Sequence, residues 1–230
     1  MKSVPKNLIK VDGLSAIGSY TASLWTNRKI VLISDNEAFG TYGAQTLRYL
    51  SIFGFEVQTL ILSDIIYSTN TANLVYEFLN SQNMTQTDGI IGLGNEALCQ
   101  LSGYVAATYR DGLSLIQIPT TLIGQLTISK QKQACLLNPQ AKQLQSVPIE
   151  PDGIIIDTKL SDNVSQEELK SAQTLMLNLG LSQDHDCRCE LRKKNQISGH
   201  QLNYKKLLDG LPSNILFTKK VRSCLHELVL

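Results

Sequence analysis

Short apolar runs, each closed by a turn or a polar residue, constrain this chain most. They fall at residues 29–34 (KIVLIS), 57–62 (VQTLIL), 89–92 (GIIG), 115–119 (LIQIP) and Gly153–Asp157 (GIIID). All are apolar on both faces, which suits strands of a parallel sheet covered by helices rather than strands with a wet side. Helical periodicity fills the gaps at residues 42–53, 71–79 and 97–109. Strand, helix, strand alternation of this kind predicts an α/β fold with a doubly wound, mostly parallel sheet, organised as an α/β domain over residues 1–158. The remainder, 159–230, reads as a helical segment, with one amphipathic helix expected at about 166–179 followed by a polar stretch and a mixed tail.

Composition narrows the function classes. With 230 residues, 43% hydrophobic and 18% charged residues and a formal net charge of +1, the chain can bury a large core. It carries neither the charge of a disordered tail nor the basic surface of a nucleic-acid binder. No apolar run reaches the ~20 residues a bilayer span needs, and the start MKSVPKNLIKVDGLS has no signal-peptide core. The five cysteines (Cys99, Cys135, Cys187, Cys189 and Cys224) form an odd set that fits reduced thiols, so a cytoplasmic protein with no membrane partner is expected.

In a doubly wound sheet, ligands sit at the carboxyl ends of the strands. The loops after Ser34, Leu62, Gly92 and Pro119 are therefore where chemistry belongs. GLGNEALCQ (92–100) sets Gly92 and Gly94 where a strand is expected to turn into a helix, an arrangement that suits either a tight turn or a phosphate on the helix amino end. Glu96 in its first turn would repel such a phosphate. Thr120 and Thr121 follow the fourth run, as ligand-binding hydroxyls or as a helix cap. Lys142 sits in a polar stretch between Pro139 and Pro148, where it is either a phosphate contact or a solvated charge. Residues 184–190 (DHDCRCE) hold many metal-ligand types, but their spacing is wrong for a common zinc site.

The stretch 103–122, GYVAATYRDGLSLIQIPTTL, resembles 3-dehydroquinate synthase. The register holds without a gap from Gly92 to Asp157, residues 29–62 resemble that family's first βαβ unit, and about residues 10–180 can be overlaid. The resemblance implies an NAD-binding α/β domain joined to a helical, metal-binding domain. It also implies chemistry in which bound NAD oxidises a seven-carbon sugar-acid phosphate, phosphate is eliminated, and the ring closes after re-reduction. That chemistry needs a Lewis-acid metal and cations around the substrate's anionic groups.

Position by position, the charged groups are replaced. Against the family's glycine triplet and its aspartate stand Gly94-Asn95-Glu96 and Gln100, and an arginine becomes Asp111. An aspartate becomes Thr127, two glycines become Gln131 and Lys132, and a lysine becomes Gln133. The metal-binding glutamate falls on Leu175, a lysine falls on Asn178, and the metal histidines have no counterpart beyond an isolated His200. Retained are Gly92, Gly94, Thr120, Thr121, Gln125, Lys142 and Asp157, together with Asp64 of the second-strand loop. The candidate cofactor contacts are thus Asp64, Gly94, Thr120, Thr121 and Lys142. NAD is the one cofactor these still suit, weakly; no metal site and no catalytic residue is expected.

The resemblance therefore implies a truncated, degenerate homologue of an aromatic amino acid biosynthesis enzyme, non-catalytic and kept for binding or regulation. The alternative is an active NAD-dependent synthase or related dehydrogenase-fold enzyme with an altered site, completed by a partner chain. The partners expected are a second copy or an intact synthase.

Overall fold

The computed structural model describes residues 7–10, 12–26, 29–63, 68–129, 131–161, 167–168 and 170–172. A six-stranded sheet forms its centre. In chain order its strands and helices begin with β1 (Asn7–Lys10), α1 (Ile17–Leu24), β2 (Lys29–Asp35), a single turn α2 (Asn36–Ala38) and α3 (Ala44–Ile52). There follow β3 (Glu56–Leu62), α4 (Thr69–Ser81), β4 (Gly89–Gly94), α5 (Glu96–Thr108), β5 (Ser114–Pro119) and α6 (Leu122–Ile128). A hairpin of β6 (Gln133–Asn138) and β7 (Gln143–Pro148) precedes the last strand, β8 (Gly153–Asp157).

The sheet order is β1-β8-β5-β4-β2-β3, and every pair in it is parallel. Alternation along each strand divides the core in two. Val31 and Ile33 of β2, Ile90 of β4 and Leu115 of β5 point to one face, where they meet Val75 and Leu79 of α4 and Leu98, Leu101 and Val105 of α5. Ile30 and Leu32, Ile91 and Leu93, and Ile116 and Ile118 point to the other, against Ile17 and Tyr20 of α1 and Leu50 of α3. Both faces of the central strands are dry, as the apolar runs require. Small residues let the helices lie close. A Cβ on Gly18 of α1 would run into the Tyr49 carbonyl of α3, and one on Gly92 would run into Ser102 of α5.

Three expectations are corrected. β4 runs on to Gly94, so Gly92 lies inside a strand and is small because α5 packs over it; it does not shape a loop. The stretch holding Lys142 is not a simple loop: it is the antiparallel β6–β7 hairpin, with Lys142 in its turn at φ 50°. And β1 and α1 are elements beyond the five apolar runs and the helical patterns between them. The helix expected at 166–179 lies mostly outside the described residues, as do Asp64, Leu175, Asn178, residues 184–190 and His200.

Candidate functional site

The chain leaves β2 toward β3 at one edge, then returns to place β4 on the other side of β2. Strand order reverses between β2 and β4, and the crevice at their carboxyl ends is the ligand position such sheets favour. Asp35 ends β2. Its Oδ1 accepts the Ala38 N–H at 2.7 Å, capping α2. Its Oδ2 lies over Gly94, only 2.7 Å from where a Cβ on that glycine would stand, and Leu98 Cδ2 closes the same space at 2.8 Å.

Gly94, Thr120 and Thr121 are brought together here. Gly94 registers with Pro119, and the Thr120 N–H donates to the Gly94 carbonyl at 2.9 Å. Thr121 caps α6, its Oγ1 accepting the Gly124 N–H at 3.1 Å, so the capping alternative holds for this hydroxyl. Lys142 is not in this group. It stands exposed in the hairpin turn, which is tied to the amino end of α4 through Gln140 Nε2 and Asn70 Oδ1 at 3.2 Å.

Asn95 caps α5, its Oδ1 accepting the Leu98 N–H at 3.0 Å. The next residue, Glu96, has its side chain in the wall between α5 and α6 and is 9% exposed. Burial pushes its carboxyl up from the usual 4.5 to about 7, and a hydrogen bond with the Thr127 side chain of α6 pulls back only part of that rise. A helix amino end favours the charged form by about 0.3–1 kcal/mol, too little to outweigh loss of water. The neighbouring Cys99 is wholly buried, and its thiol is raised far above the ordinary range by burial and then by Glu96 and Asp35. It is inert as a nucleophile near neutral pH.

Three further features surround the crevice. Gln125 Nε2 donates to the Asp157 carbonyl at 2.8 Å, tying α6 to β8. The Asp157 carboxylate takes the N–H groups of Asp12, Leu14 and Lys159 at 2.9, 2.8 and 3.0 Å. Glu168 accepts the first amide of α6, from Leu122, at 3.0 Å. The retained Gln125 and Asp157 are thus joints of the scaffold. Asp35, Glu96 burial and the Glu168 contact escaped sequence reasoning, although Asp35 carried a signal in its capping position at the end of a strand.

A cavity of about 580 Å³ opens at the other end of the sheet, beside Ser114 and Leu115 at the start of β5 and Asp152 before β8. It holds none of the candidate residues. Asp111 lines it, hydrogen-bonded by Gln86 Nε2 at 2.7 Å, so the charge reversed at Asp111 lies away from the Gly94 crevice.

The family profile described as 3-dehydroquinate synthase N-terminal matches residues 60–171. The 3-dehydroquinate synthase of Streptococcus gordonii is 32% identical over 211 residues, which is 91% of this chain and 56% of that one. That of Lactococcus lactis subsp. cremoris strain MG1363 is 34% identical over 181 residues, 78% of this chain and 51% of its own. Over this N-terminal stretch the chain is similar to the 3-dehydroquinate synthases. It spans about half the length of the curated relatives it matches.

Solved structures agree on the fold. The 2-epi-5-epi-valiolone synthase of Streptomyces hygroscopicus subsp. jinggangensis, determined with NAD+ and Zn2+ bound, superposes with a TM-score of 0.71 at 16% identity, over 91% of this chain and 61% of that one. A 2-deoxy-scyllo-inosose synthase complexed with carbaglucose-6-phosphate, NAD+ and Co2+ gives 0.70 at 14% identity, over 89% and 56%. Among the described residues no helix is long and apolar enough to cross a membrane.

Proposed function

We propose that this chain keeps the scaffold of a 3-dehydroquinate synthase while its crevice serves binding or regulation, without synthase turnover. The observation that carries the reading is the filled space above Gly94. A glycine-rich turn cradles a pyrophosphate with bare amides at a helix amino end. Here the first turn of α5 carries a buried carboxyl hydrogen-bonded to Thr127, and the space above Gly94 is taken by Asp35 and Leu98. These residues do not fit a pyrophosphate: the close approach that glycine permits is already filled by Asp35 and Leu98, and Asp35 presents an acidic group there. NAD is therefore proposed to bind weakly or not at all, and no step is assigned through it.

The test has two arms. Thermal unfolding with millimolar NAD distinguishes a cofactor site from none, because a ligand at 100 times its Kd adds about 2.7 kcal/mol. Phosphate release from the family's seven-carbon substrate tests turnover. No stabilisation and no release fit the proposal; NAD stabilisation with release would instead establish an NAD-dependent enzyme with an altered site. The partner proposed for such a scaffold, in the cytoplasm, is a second copy or an intact synthase, and co-purification from the native cell tests it.

A further inference from the structure

The two edges of the sheet are finished differently. β1, at one edge, is four residues long, and β3, at the other, runs for seven. All seven pair in register with β2 without a bulge, and among the described residues no strand lies on the far side of β3. An open edge is a row of unpaired N–H and C=O groups, which proteins blunt with lysine, proline, a bulge or a short strand. Residues 56–62 (EVQTLIL) use none of these devices, and Ile61 is 39% exposed.

The helix above this edge is apolar on the same side. Leu60 and Leu62 of β3 share a core with Val75 and Leu79 of α4. Tyr76 of α4 shares a hydrogen bond with Thr108 of α5 at 2.6 Å, and Asn80 accepts one from the Tyr109 hydroxyl at 2.8 Å. Two positions back along a helix is about 200° round it, so Leu74 and Phe78 stand on the flank away from α5, above the β3 edge. Leu74 is 59% exposed.

We propose that β3 is a dimerisation edge, at which a second copy of this chain adds its own β3 antiparallel and joins the two sheets into one. The strand is complementary to itself. The register that pairs all seven residues centres on Thr59, which meets its own copy, with Val57 opposite Ile61 and Gln58 opposite Leu60. Val57 and Ile61 form a β-branched pair of the kind that stabilises neighbouring strands. Glu56, the one charge in the strand, falls opposite Leu62, whereas a parallel pairing would set it beside its own copy. A twofold axis perpendicular to the sheet keeps each helix layer on its own face, so Leu74 and Phe78 of one α4 meet those of the other. Seven residues span about 23 Å, and a helix layer on each face makes the edge about 30 Å tall, which gives roughly 700 Å² per copy against about 800 Å² in a standard interface. The pairing occupies both copies of β3, so association stops at two. It gives a place to the second copy proposed above and rests on that reading.

The test uses the full chain in sedimentation equilibrium over a dilution series, where wild type is expected to be a dimer. Thr59→Lys and Thr59→Glu each set two like charges face to face at the axis, and each should raise the dissociation constant roughly 10- to 100-fold. Mixed in equal amounts, the two variants should recover a dimer with one of each. If either variant does not fold, hydrogen exchange in wild type decides: β3 amides should gain protection as concentration rises, and β1 amides should not. A dimer that both substitutions leave intact, a mixture that stays monomeric, or a dimer that forms without added protection in β3 would overturn the edge and leave a second copy bound elsewhere. A wild-type monomer throughout would overturn the edge and the second-copy partner together. None of these results bears on turnover, which phosphate release reads separately.

Discussion

Replacing Glu96 by glutamine should abolish a pH dependence of stability that runs opposite to ordinary acid denaturation. In the fold the acid titrates at about 7, against 4.5 when exposed. Between those values the folded chain holds a proton that the unfolded chain has lost, so stability falls as pH rises through the window and levels off above 7. At 1.36 kcal/mol for each pH unit separating the two states, the penalty fully developed at alkaline pH is about 3 kcal/mol. Almost complete burial means that little of this is screened. Glutamine keeps the shape and can still donate to Thr127, without a charge to desolvate. Urea unfolding from about pH 5 to about pH 8 measures the effect. Wild type should lose about 2.5 kcal/mol relative to the variant across the series, and the variant should be the more stable above neutrality. Every other side chain is the same in both proteins, so its contribution cancels in the difference. A difference that stays constant across the series, or one that grows toward acid, would refute the burial argument.

Two more substitutions test the scaffold around the crevice. Asn95→Ala removes the side-chain bond to the Leu98 amide and should cost about 1 kcal/mol by urea unfolding; a loss below about 0.3 kcal/mol would mean that the α5 cap contributes nothing. Asp157→Ala strips three amides of their acceptor and should cost roughly 2–4 kcal/mol, loosening Asp12 and Leu14 to hydrogen exchange; unchanged protection there would contradict its role as a joint.

The strands of the sheet centre were legible because burial on both faces leaves continuous apolar runs, such as Ile30 to Ile33. β7 was not. Its Gln143, Gln145 and Ser146 are exposed beside Leu144, so no apolar alternation marks it, and only pairing with β6 makes it a strand. β1 is four residues long, too short for a pattern to emerge. Gly92 looked like a turn residue, because a glycine admitting a neighbouring helix and a glycine bending a loop are the same letter. Gly94, Thr120 and Thr121 lie at the carboxyl ends of β4 and β5, as their positions after apolar runs imply. Glu96 was read as a repelling charge at a helix start, where acids usually meet water. Its burial, and the proton it therefore keeps, depend on α6 lying across it, a tertiary contact that no local pattern encodes. Asp111, inside the recognisable stretch 103–122, lies at the opposite end of the sheet, a position that its sequence neighbours do not reveal.

The proposed absence of synthase turnover on this scaffold has a decisive assay. Phosphate release from the seven-carbon sugar-acid phosphate, with NAD and a divalent metal supplied and an intact synthase run beside it, tests this most directly. The account predicts release no faster than the uncatalysed background. Release at a rate comparable to the intact enzyme's would contradict it.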